Sequence, residues 1–133
     1  MNRRQRCYTR ILFVLYLIVL AWLCFGHFDS IPDVPKSYWG IPTDKIVHFL
    51  MFFPFPVLAV MTLDIQGKRK GTAALIILAV FLTGAALAAC TEVAQTKLTT
   101  WRKGDPTDFG ADLLALGLGS LLVLGATLWK HRK

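Results

Sequence analysis

Charge is scarce in this chain. Of 133 residues, 17% are charged and 55% are hydrophobic, and the charges avoid four long apolar blocks. A soluble domain distributes its apolar residues at helical or strand periodicity around one core, so blocks almost free of charge exclude that class. Cysteine is equally sparse. Cys7, Cys24 and Cys90 have no metal-ligand spacing and form no even disulfide framework. They read as small apolar filler, with a Cys24–Cys90 bridge in an oxidising compartment left open. HExxH, CxxC and a glycine-rich phosphate loop after a strand are all missing, and no Ser, Cys or Lys nucleophile has an evident base beside it. Internal repeats and low-complexity stretches are absent too.

What is present is a single membrane domain over 1–133, an all-α bundle of four transmembrane helices. The blocks cover about 11–28, 46–63, 72–91 and 109–129, each near the roughly 20 residues that cross a bilayer core. The first follows a basic stretch but lacks small residues at a cleavage site, so it reads as a retained signal anchor. Fifteen Lys and Arg give a net charge of +7, yet they cluster beside the blocks, where they act as topology signals rather than as a nucleic-acid footprint. No nucleic-acid partner is expected. Ten of them (Arg3, Arg4, Arg6, Arg10, Lys68, Arg69, Lys70, Lys130, Arg132, Lys133) fall on one side. Five (Lys36, Lys45, Lys97, Arg102, Lys103) fall on the other, which favours both termini in the cytoplasm. Seven of the eight acidic residues, all but Asp64, lie in or beside the two outer loops.

Pro32, Pro35, Trp39 and Pro42 make 29–43 an extended interfacial segment rather than a helix. Pro54 and Pro56 should kink the second helix, with neighbours satisfying the freed carbonyls. Small residues spaced by four on the third and fourth helices, Gly84 with Ala88 and Ala111 with Ala115 and Gly119, predict close backbone contact there.

Three polar stretches stand at the outer boundary. Asp44 and His48 share a helix face flanked by Lys45. Glu92 and Gln95, three apart, share another. A submerged carboxylate costs up to roughly 2.5–3.5 kcal/mol, so Glu92 either faces a partner or marks a helix that ended at Cys90. In the third stretch, Asp105 before Pro106 reads as an N-cap with proline at the first helical position, and Asp108 gains from the helix dipole. Asp112 lies one turn deeper on the face of Asp108, so it needs compensation from Arg102, a cation, or a hydrogen bond across to the second or third helix.

The run Asp44-Lys45-Ile46-Val47-His48-Phe49, then Glu92-x-x-Gln95, then Arg102-x-x-Asp105-x-x-Asp108 resembles the VanZ-like family of small bacterial membrane proteins, across the last three helices. The resemblance implies a multi-pass protein of the bacterial inner membrane, in a family whose named member is linked to tolerance of the lipoglycopeptide teicoplanin. It implies that His48, Glu92, Arg102, Asp105 and Asp108 converge in a polar cleft at the extracytoplasmic face. Two positions depart from the pattern, Asp112 for a usual Asn and Ala115 for a usual Gly, and the extra carboxylate makes the site more acidic.

Three functions are compatible with this set. The first is an envelope accessory protein that binds a phosphate-bearing lipid, a lipid-linked cell-wall precursor or a glycopeptide through Asp44, Lys45, Gln95, Arg102, Asp105 and Asp112. The second is an enzyme on a lipid-linked phosphate, with His48, Glu92 and Asp108 as the catalytic acid and base groups. The third is a helical scaffold for a membrane partner. No resident cofactor is expected, although the oxygen ligands leave room for a divalent cation, magnesium or calcium before zinc.

Overall fold

A computed structural model describes residues 1–26, 37–100 and 106–133. Among these, four segments are long and apolar enough to cross a membrane: Arg3–Phe25, Thr43–Leu63, Lys70–Leu98 and Pro106–Lys130. The chain is therefore a multi-pass membrane protein, and its described residues are predominantly helical.

Helix α1 (Arg3–Phe25) starts inside the basic stretch, eight residues before the apolar block. Asn2 explains this, because its side chain accepts from the Gln5 backbone amide while the Gln5 side chain accepts from the Asn2 amide, satisfying two otherwise orphaned donors. The helix ends at Phe25, short of the expected 28.

The described part of the first long loop, 37–42, is extended as the prolines predict. Strand β1 (Ser37–Tyr38) pairs antiparallel with β2 (Ile41–Pro42) across a two-residue turn. Trp39 (φ 51°) and Gly40 (φ 79°) both take positive φ, as a turn matching the right-handed twist of a hairpin requires. Pro32 and Pro35 lie outside the described residues.

The second span is broken where the prolines require. Helix α2 (Thr43–Phe52) and helix α3 (Pro54–Leu63) meet at Phe53. Pro54 and Pro56 have no N–H to offer the preceding turn, and the Tyr16 hydroxyl of α1 donates to the Met51 carbonyl at this break. The tilted ring pair Phe13–Phe55, 5.8 Å between centroids, packs α1 against the same region. At the far end, Arg6 lies 3.8 Å from Asp64, the left-handed residue that ends α3.

Helix α4 (Lys70–Leu98) runs 29 residues, well past the expected end at 91. The extension follows from burial: its inward stripe is Ala73, Ile77, Val80, Gly84 and Ala88, then Thr91, Glu92 and Gln95. That stripe keeps helical periodicity while changing from apolar to polar. Helix α5 (Pro106–Lys130) begins at the expected proline and buries Asp108, Asp112, Ala115, Leu116, Gly119 and Ser120 on one face.

The small residues allow close approach. A Cβ on Gly84 would sit 2.6 Å from Leu116 Cδ2, and one on Gly119 would sit 2.8 Å from the Phe53 carbonyl oxygen. Helix α5 is therefore seated against the break between α2 and α3. The apolar core below the polar residues centres on Phe52, Phe55, Ala88, Ala115 and Leu116.

Candidate functional site

The start of α2, the end of α4 and the start of α5 meet at one end of the bundle. Each helix contributes polar residues from its buried stripe, so helix packing itself places them together. His48 lies one turn inside α2 and is buried. Its Nδ1 is 3.0 Å from Asp112 Oδ1 and 3.8 Å from Glu92 Oε1, and its Nε2 is 3.6 Å from Asp108 Oδ2. One imidazole is thus bracketed by three carboxylates from two other helices.

Lys45 closes the cluster toward the rim. Its Nζ is 3.2 Å from Asp108 Oδ1 and 3.8 Å from Asp44 Oδ2. A polar chain therefore runs inward from Lys45 to Asp108, His48 and Asp112. A charge-assisted contact in low dielectric is far stronger than its surface counterpart.

Asp112 is 0% exposed. The compensation it demands comes from α2, through His48. Its second oxygen, Oδ2, is buried and has no hydrogen-bond partner among the described residues, and an unmet buried acceptor carries a penalty of about 1–3 kcal/mol. Glu92 sits inside a continuous helix against His48, so the reading in which α4 ended at Cys90 is excluded.

Two other expected ligand residues stand apart. Gln95 is 2% exposed, and its Nε2 donates to the Cys24 carbonyl at 2.7 Å. It satisfies one of the end carbonyls of α1 and ties that helix to α4. Asp44 points outward, its side chain 57% exposed, and meets the cluster through Lys45. Arg102 and Asp105 lie outside the described residues. Among the described residues Cys7, Cys24 and Cys90 form no disulfide.

One ligand atom each from His48, Glu92 and Asp108 lies within 4.8 Å of the others. Ligand atoms about 2.0–2.4 Å from an ion stand at most about 4.8 Å apart, so this triad could hold a metal ion. In such a site the contact of Asp112 with Nδ1 would orient the imidazole and leave Nε2 toward Asp108, the arrangement by which outer carboxylates position metal-bound histidines. Sequence reasoning missed Tyr16, whose hydroxyl bonds the broken turn of α2. A tyrosine hydroxyl inside the apolar block of the anchor helix was the available signal. No family model, curated protein or solved structure matches the chain.

Proposed function

We propose that this protein is a VanZ-like accessory protein of the bacterial cell envelope. In this reading it lies in the cytoplasmic membrane with both termini inside and presents the polar end of the bundle to the outer leaflet. There it binds the phosphate of a lipid or lipid-linked cell-wall precursor. The motif order from Asp44 to Asp108 points to the family and the envelope, and the ten-to-five division of basic residues supports the orientation.

The observation that carries the reading is the triad His48, Glu92 and Asp108 beneath Lys45. Three carboxylates alone repel a phosphate. A divalent cation held by the triad would, together with Lys45, offset that charge and supply a Lewis acid for phosphate oxygens, with Lys45 and Arg102 as the cationic side chains for the same headgroup. The polar rim and the surrounding apolar helices match an amphiphile with a charged head and a lipid tail. Tolerance of teicoplanin-type glycopeptides would follow from altering access to such a precursor.

Binding of a polyprenyl phosphate to the protein in nanodiscs tests this. Retention should fall on addition of EDTA, recover with magnesium or manganese, and fall in Lys45→Gln. Retention indifferent to both EDTA and Lys45→Gln would refute the proposal.

The buried His48–Asp112 pair, at 3.0 Å, favours a second reading, an enzyme on the same lipid phosphate. Imidazole oriented by a buried carboxylate is an arrangement suited to general base work. Phosphate release by the unaltered protein that disappears in His48→Gln would select the enzyme. Binding without release in the unaltered protein would select the accessory role.

A further inference from the structure

The end of the bundle opposite the polar cluster carries a second site of different character. Below the tight approach of Gly119 to Phe53, helices α3 and α5 leave between them a cavity of about 520 Å³. Val57, Met61, Val123 and Ala126 form apolar walls. Lys130 and His131 stand at the rim. The acidic residue along this lining is Asp64, which lies 3.8 Å from Arg6 and is thereby offset.

Along the walls formed by Val57, Met61, Val123 and Ala126 water would find few polar partners, so hydrocarbon suits that part of the recess better than water. The cationic rim then decides which hydrocarbon-bearing molecule sits best. A basic pocket between transmembrane helices matches the headgroup of an anionic lipid, each Lys or Arg near the surface contributing about 1 kcal/mol. The size also suits a ligand of this kind, since small-molecule sites run to several hundred cubic ångströms.

We infer that the cavity between α3 and α5 is a binding site for one anionic phospholipid of the surrounding bilayer, with an acyl chain along Val57, Met61, Val123 and Ala126 and its headgroup at Lys130 and His131. This site is independent of the proposed phosphate site at the other end. It uses different helix ends and no residue of the polar cluster.

Native mass spectrometry on protein extracted in mild detergent from vesicles of equal phosphatidylglycerol and phosphatidylcholine tests the assignment. The measurement is made in the unaltered chain and in Lys45→Gln, so that a lipid held at the polar end is distinguished. Both should retain one phosphatidylglycerol in preference to phosphatidylcholine. Lys130→Gln should lower that retention about fivefold, the equivalent of about 1 kcal/mol. Ala126→Trp, and Val123→Phe as a second variant filling the same space, should abolish retention of either lipid. Equal retention of the two lipids overturns the assignment. So does undiminished phosphatidylglycerol retention in whichever filling variant keeps the melting temperature of the unaltered protein.

Discussion

Gly119 is where the seating of α5 can be tested most directly. In Gly119→Ala the new methyl would meet the Phe53 carbonyl oxygen at 2.8 Å and Pro56 Cγ at 3.2 Å, against a comfortable separation of about 3.5–4.0 Å for carbon contacts. Neither neighbour is a flexible side-chain end: one is backbone and the other a proline ring. The helices must therefore separate, and overpacking of this kind costs about 1–3 kcal/mol. Gly125→Ala on the same helix provides the reference, since a Cβ there meets nothing within 4 Å. The helix-propensity gain of about 1 kcal/mol applies to both variants and cancels in the comparison. Gly119→Ala should thus be less stable than Gly125→Ala by about 1–3 kcal/mol, measured by unfolding in mixed detergent micelles. Asp112 lies seven residues before Gly119 on the buried face, so the same displacement should loosen its 3.0 Å contact with His48. Equal stability of the two variants would refute the close approach of α5 to the break.

Other outcomes follow from the same contacts. Asp112→Asn should fold, because it keeps size and hydrogen-bonding capacity. The concentration of divalent ion giving half-maximal thermal stabilisation should rise at least about tenfold, the usual effect of losing a carboxylate behind a metal-bound histidine; an unchanged titration removes Asp112 from the ion site. Tyr16→Phe should lower stability by about 0.5–1.5 kcal/mol through loss of the bond to the Met51 carbonyl, and stability equal to the unaltered protein would show that the bond does not support the break. In a background without native cysteines, Thr99→Cys should react with an impermeant thiol reagent in intact cells while Gln66→Cys should not. The reverse pattern would overturn the proposed orientation.

Much of the architecture was legible because membrane burial writes itself in long apolar runs. The break at Pro54, the start of α5 at Pro106 and the close packing at Gly84 and Gly119 each have a local chemical cause visible in sequence. Helix ends were less legible. Hydropathy stops near Cys90, but α4 continues to Leu98 because Glu92 and Gln95 find partners on other helices, and no one-dimensional window contains those partners. The site divides in the same way. Helix-face spacing made an approach of His48 to Glu92 and Asp108 feasible without selecting it. Spacing on α5 alone could show that Asp112 needed a partner, but only the packing of α2 against α5 identifies His48 as that partner. Gln95 shows the converse, since the same buried polar position serves an end carbonyl of α1 at Cys24.

The length of α4 has a consequence for how the chain sits in a bilayer. Its 29 residues measure about 43 Å, whereas the 21 residues from Thr43 to Leu63 measure about 32 Å. A hydrocarbon layer about 30 Å thick matches the broken span and not the long one, so α4 must tilt or project. Its final turns carry Glu92 and Gln95, so bilayer thickness acts on the same stretch that completes the polar cluster. A thicker, more ordered membrane draws that stretch toward hydrocarbon and dries the carboxylates, and a thinner one lifts it into the hydrated headgroups. If the cluster binds ions and phosphates as proposed, its affinity for them would thereby vary with lipid composition.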